Sequence, residues 1–191
     1  MILTKNLDIN INKILMAQSH EKLVEEWLRR NNYFTIRSAK IGVAEIDLLA
    51  LGEQLIETSE NNLTPTIIRR HIEVQISFKP VGFITGKSAK KRSKEEIETD
   101  VDMWVHKKFF CDDAQNIRTA FLGRGTNIQD WKFDFVHHIV KEPYELELIK
   151  KKGISLIDFK DIITELRKDD GFGTARRGSD AADEVSLLKM K

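Results

Sequence analysis

Two short runs of apolar residues each carry an acidic side chain near the centre: Glu45-Ile46-Asp47-Leu48-Leu49-Ala50 and His71-Ile72-Glu73-Val74-Gln75-Ile76-Ser77, with 25 residues between Asp47 and Glu73. Aliphatic, β-branched runs of this length predict strands. A carboxylate inside such a strand is costly to bury alone, so two of them in successive strands ask for one explanation. A shared divalent cation supplies it.

Side chains on a strand change face at every residue. The first run therefore predicts Glu45 and Asp47 on one face, with Ile46, Leu48 and Ala50 on the other. In the second, Arg69, His71, Glu73, Gln75 and Ser77 are expected to point one way, and Ile72, Val74, Ile76 and Phe78 the opposite way. Each strand then has one core face and one polar face. Antiparallel pairing through a connection from Gly52 to Pro65 would let Glu45, Asp47, Glu73 and Gln75 converge. Three acids and an amide suit a hard, oxygen-seeking ion such as Mg²⁺.

Upstream, Ser19-His20-Glu21-Lys22-Leu23-Val24-Glu25-Glu26-Trp27-Leu28 predicts a helix with an apolar stripe at Leu23, Val24, Trp27 and Leu28. It is followed by Asn32-Tyr33, a short strand and Gly42-Val43-Ala44-Glu45-Ile46-Asp47-Leu48-Leu49. In this order and spacing the chain resembles the PD-(D/E)XK nuclease superfamily, the restriction-endonuclease-like fold that includes archaeal-type Holliday junction resolvases. The similarity spans roughly Ser19 to Ser77, with weaker support to Asp158. It implies a mixed central β-sheet flanked by helices, an α/β domain with a restriction-endonuclease-like core. Glu45-Ile46-Asp47 matches a variant of the first family motif, Glu73-Val74-Gln75 the second, and Glu21 the helix acid.

By that resemblance Asp47, Glu73 and the Val74 carbonyl hold Mg²⁺ or Mn²⁺, Gln75 orients water, and Glu45 and Glu21 place a second ion or anchor hydrated metal; Glu45 is equally read as a strand residue at the sheet rim. One departure stands out. The family places a lysine where this chain has Gln75, and an amide carries no positive charge. Glu21 also has an ordinary reading, as an acid favoured near a helix N-terminus with Ser19 as cap.

The chain has 191 residues, 41% hydrophobic and 32% charged, which suits one soluble domain with a sizeable core. Its 31 basic and 30 acidic side chains leave a net charge of +1, so global charge does not mark a nucleic-acid binder. The single cysteine, Cys111, excludes an internal disulfide framework and a cysteine-rich zinc site. No run approaches the roughly 20 apolar residues of a membrane span, and the N-terminus lacks a signal-peptide pattern. A cytoplasmic location is expected, with no membrane partner.

Past Glu73, Pro80, Gly82 and Gly86 predict a loop, and Ile97, Val101, Trp104, Val105 and Phe109 predict a helix from about Lys94 to Phe110. Strands are expected at Ile117 to Leu122, Phe133 to Val140 and Ile154 to Ile157. Helices are expected at Tyr144 to Lys152, closed by Gly153, and from an Asp158 cap through Leu166. The domain is read as residues 1–168. From Asp169 the composition turns to Gly, Arg, Ser and Asp, so residues 169–191 are expected to be a flexible tail.

Gly82-Phe83-Ile84-Thr85-Gly86-Lys87-Ser88 mimics a phosphate-binding P-loop, but only three residues separate its glycines where four are needed. The same stretch leads into Lys87, Lys90, Lys91, Arg92 and Lys94, five basic residues in eight without an acid. Beside an acidic metal site, such a run suits a phosphate backbone; alone, it would be a solvated loop. Arg69 and His71 would either touch phosphate or balance the carboxylates. His137 and His138 are adjacent and face opposite ways, and no other zinc pattern is present.

The leading expectation is a Mg²⁺-dependent endonuclease acting on DNA. The alternatives are a nucleic-acid-binding module that kept the fold and lost catalysis, and a scaffold whose acids hold a structural ion. DNA against RNA is undecided by the residues, although the resemblance favours DNA, and a homodimer is left open.

Overall fold

The computed structural model describes residues 20–57, 63–76, 84–85, 92–123 and 128–168. Helix α1 (residues 20–30) leads into β1 (Tyr33–Ile41), β2 (Ala44–Glu57) and β3 (Leu63–Gln75). Helix α2 (Lys94–Val105) continues as a π-turn (His106–Phe110), followed by α3 (Asp112–Leu122) and a 3₁₀ turn (Ile128–Asp130). Then come β4 (Trp131–His137), α4 (Pro143–Lys151), β5 (Ser155–Asp158) and α5 (Phe159–Lys168). The five strands form one sheet in the order β1-β2-β3-β4-β5. The first three pair antiparallel, while β4 and β5 run parallel to β3. A parallel pair needs a crossover, and α2 with α3, then α4, occupy those crossovers. The result is an α/β fold with a mixed sheet flanked by helices.

Local chemistry explains most boundaries. Ser93 and Glu96 form a reciprocal capping box that opens α2. Pro143 starts α4, and Gly153, at φ +83°, closes it in a conformation that suits glycine. Asp158 accepts the Lys160 N–H at 2.9 Å, capping α5 as the sequence implied.

The core lies on both sides of the sheet. On one, Leu23, Val24 and Leu28 of α1 and Phe159, Ile162 and Leu166 of α5 cover Leu48, Ala50, Ile72 and Val136. On the other, Val101, Val105, Phe109 and Ile149 cover Phe135, and Ile117 of α3 packs on Ala39, Ile46, Leu49 and Trp131. The polar face expected for β3 is thus buried too: His71 is 0% and Glu73 1% exposed.

Two expectations about elements fail. Ile117 to Leu122 is helix, not strand. Asp112 and Asp113 sit in its first turn, where acids complement the helix dipole, and Ala114, Ile117 and Arg118 are buried at helical spacing. The span from Gly52 to Pro65 is mostly strand, since pairing runs from Gly52↔Ile68 to Glu57↔Leu63.

Gly52 has a steric reason. A Cβ there would lie 2.6 Å from Cδ1 of Tyr33 on the neighbouring strand. Gly52→Ala is therefore expected to lower stability by roughly 1–3 kcal/mol, the usual effect of overpacking. Chemical denaturation should show a lower midpoint at unchanged slope; an unshifted midpoint would mean that the ring yields freely.

Candidate functional site

The β2–β3 ladder ends at Leu48↔Ile72, and beyond it the two strands part. Asp47, the first residue past the last pair, spans the opening with its side chain: Oδ2 accepts the Val74 N–H at 2.8 Å. A carboxylate here takes the place of a backbone acceptor. Opposite it on β1, between the pairs Arg37↔Leu48 and Ala39↔Ile46, Ser38 adopts φ +52°. Strict alternation breaks at this point. Ile46 packs with Leu49, whereas Leu48 packs with Ala50 and Ile72, so the expected common face for Ile46 and Leu48 is not found.

Glu73 comes from the end of β3 and is buried. Its carboxyl acts through its charge on that of Asp47. His71 Nε2 lies 3.1 Å from Oε1, and the Lys108 ammonium contacts Oε2. Burial, followed by the charge of Glu73, pushes Asp47 up to about 7. Burial likewise pushes Glu73 up to about 7, against the opposing pull of Lys108. Two carboxyls coupled in this way titrate as a pair. Burial pulls the Lys108 ammonium down, but Glu73 and Asp47 outweigh it and hold its pKa above the ordinary value.

The other expected acids lie at the margin. Burial, and after it the charges of Asp47 and Glu45, push Glu21 up to about 7, so the α1 acid does approach the pair. Ser38 Oγ lies 3.5 Å from Glu21 Oε2. Glu45 pairs with Lys40 at 3.1 Å. Gln75 is exposed and turns to the Ile84 carbonyl, donating from Nε2 at 3.1 Å.

Sequence reasoning missed Lys108. The signal was there: the apolar stripe Ile97, Val101, Trp104 and Val105 of α2 is interrupted by a lysine four residues after Trp104. The π-turn explains its placement. Cys111 N–H bonds back to the His106 carbonyl at 2.8 Å, and this wider turn buries Phe109 while leaving Lys108 partly exposed beside Glu73. Such turns recur where a helix must re-aim side chains.

The basic residues expected at a phosphate backbone divide. Lys87, Lys90 and Lys91 lie outside the described residues, as do residues 169–191. Arg92 is not offered to solvent: it bonds Asp100 at 2.9 Å and Glu145 at 2.7 Å, with its side chain 8% exposed. Burying a guanidinium requires such partners, which is why the expected phosphate role fails for it. Lys94 is exposed at the start of α2, 5.9 Å from the Tyr144 ring centroid. Arg69 sits four strand positions from Glu73, roughly 13 Å away, and its Nε is buried without a hydrogen-bond partner among the described residues. In the P-loop-like segment, the Ile84 N–H donates to Glu145 at 2.8 Å, so that amide is not free for a phosphate.

No family model matches the chain, and no curated protein matches it. Among solved structures it is similar to AF1548, described as a protein of unknown function. The two share 14% identity at a TM-score of 0.45, covering 90% of this chain and 78% of the other. That likeness carries no functional argument.

Among the described residues no three His, Cys, Asp or Glu side chains form a ready metal cage. Mg²⁺ does not require one, because it usually keeps several waters and takes one or two protein carboxylates. Asp47 and Glu73 are such a pair. The raised pKa values of both acids and the Lys108 ammonium against Glu73 mark a place where positive charge is favoured, and the ligand atoms on offer are all oxygen. The residues fit a hard divalent ion.

Proposed function

We propose that the chain is a Mg²⁺- or Mn²⁺-dependent phosphodiesterase acting on DNA, in the manner of the PD-(D/E)XK nucleases it resembles. The observation that carries this reading is the meeting, at the open end of the β2–β3 ladder, of a half-buried Asp47 and a buried Glu73 from adjacent strands, each held up to about 7. A bound divalent ion would supply Lewis-acid charge to a phosphate oxygen. Asp47 and Glu73 hold that ion, with the Val74 carbonyl as a further donor. Lys108 provides the positive charge that Gln75 lacks, placed on a helix rather than a strand, and helps to offset the charge of a transition-state phosphorane. Glu21 and Glu45 bound the site on the α1 side, and Lys94 is an exposed cation for the backbone. A cytoplasmic location goes with this reading; among the described residues no helix is long and apolar enough to cross a membrane.

A second reading has one observation in its favour. Gln75 bonds the Ile84 carbonyl and is thereby turned from orienting water, as in a binding module that lost catalysis. Incubation with duplex, single-stranded and branched DNA, with and without Mg²⁺, separates the two. Mg²⁺-dependent scission that disappears in both Asp47→Ala and Glu73→Ala supports the enzyme. Salt-sensitive binding without scission supports the module, and cleavage surviving both substitutions excludes the proposed site.

A further inference from the structure

Glu73 is held from its far side by a chain of groups that the proposed chemistry leaves unused. Arg118 enters from α3 and is 2% exposed, its guanidinium carbon 5.6 Å from the Trp131 ring centroid and 5.4 Å from that of Phe133. Its Nη1 donates to the Phe109 carbonyl at 2.7 Å and lies 2.9 Å from His71 Nδ1. Phe109 belongs to the π-turn, whose last carbonyls lack helical partners, so Arg118 satisfies one of them. The two hydrogens on Nη1 are thereby both directed.

An arginine has donors and no acceptor. The Nδ1 atom facing it must offer a lone pair, which excludes the imidazolium and places the single ring proton on Nε2. Nε2 is the nitrogen 3.1 Å from Glu73 Oε1, and it therefore donates to the carboxyl. The ring cannot turn easily: Phe109 packs at 4.8 Å and Phe133 at 5.9 Å between centroids.

We propose that Arg118 and His71 are positioning residues for the acid pair: Arg118 fixes the His71 tautomer, and the His71 Nε2–H pins Glu73 Oε1 so that Oε2 faces Lys108 and the cation. This rests on reading Asp47 and Glu73 as the cation-holding pair. In that tautomer Nε2 carries a hydrogen and has no lone pair to receive a proton from water. His71 orients the acid and does not serve as the base. Groups of this kind, which hold a ligating carboxylate in place, typically contribute about tenfold to a hundredfold in metal affinity.

The first test needs neither activity nor metal. In the full-length protein with ¹⁵N-labelled histidine, the His71 ring, assigned by its loss in His71→Gln, is expected to show a protonated Nε2 and a bare Nδ1 by NMR. A proton on Nδ1, or on both nitrogens, overturns the proposal. The second test is Mn²⁺ affinity by titration calorimetry. Arg118→Met should weaken it about tenfold to a hundredfold. His71→Gln should retain it, because its amide offers Arg118 an acceptor and Glu73 a donor. Unweakened Mn²⁺ binding in Arg118→Met overturns the proposal, and should that variant fail to fold, the tautomer in the unsubstituted protein still decides. Absence of Mn²⁺ binding in the unsubstituted protein instead overturns the cation site on which the proposal rests.

Discussion

Asp47→Asn is expected to make the metal-free protein more stable at pH 8 while cutting Mg²⁺-dependent cleavage by about a hundredfold or more in the same molecule. The two effects share one cause. In the fold Asp47 is held up to about 7, mainly by burial and then by Glu73, against an ordinary value of 3.8. The folded protein therefore keeps a proton that the unfolded chain releases near 3.8. Stability from this group is complete below that pH, falls as pH rises toward 7, and is level above. At pH 8 the ionised Asp47 opposes folding by an amount on the order of 4 kcal/mol, at about 1.4 kcal/mol for each of the roughly three pH units between 3.8 and 7.

Asparagine removes the charge and keeps an oxygen for the Val74 N–H. Denaturation at pH 5 and pH 8 should show the gap between variant and parent widening at the higher pH; equal gaps would refute the burial argument. Mg²⁺ should raise the melting temperature of the parent by mass action and leave that of the variant unchanged. Cleavage should fall on the order of a hundredfold or more, the scale of removing one preorganised electrostatic element.

Glu145→Ala is expected to cost about 3–5 kcal/mol, the range for stripping one partner from a buried ion pair. Glu145, 0% exposed on α4, accepts the Ile84 N–H at 2.8 Å and the Thr85 hydroxyl at 2.9 Å. It also accepts from Arg92 Nη2 at 2.7 Å. Arg92 in turn reaches Asp100 and Thr85 through Nη1, at 2.9 and 3.0 Å. Truncation leaves three donors facing a void. The effect extends to the site rim, because the Ile84 carbonyl is what Gln75 bonds. Urea denaturation measures it, and a loss below about 1 kcal/mol would place this cluster with weak surface pairs. Glu145→Gln, which keeps an acceptor for Ile84, should lose less. Arg92, occupied in the cluster, should leave the salt dependence of any DNA binding unaltered when replaced by Met, whereas a phosphate contact would reduce the slope by about one.

Local signals carried far in this chain. The capped helices α2, α4 and α5 and the strands β2, β3, β4 and β5 follow from periodicity, capping residues and glycine positions. The pairing of an acid in each of two neighbouring strands was legible because a buried carboxylate is anomalous in an apolar run. Local signals failed where two readings fit the same letters. The run from Ile117 to Leu122 holds β-branched, aromatic and aliphatic residues as a strand would, and only Ala114, Ile117 and Arg118, buried together, show the helical spacing at work. Arg92 reads as one more member of a basic run until Asp100 of α2 and Glu145 of α4 close around it.

What the residues by themselves determined is the α/β sheet and the two acids that belong together, since both follow from short-range periodicity and the cost of isolated buried charge. What only the tertiary structure decided is the company those acids keep. Asp47, His71, Lys108 and Arg118 lie on four different elements, and strand and helix periods say nothing about contacts between elements. A π-turn that re-aims Lys108, a ladder that ends at Leu48 and frees Asp47 for Val74, and a helix that delivers Arg118 to a histidine ring are all consequences of packing, where burial selects the partners that each charge requires.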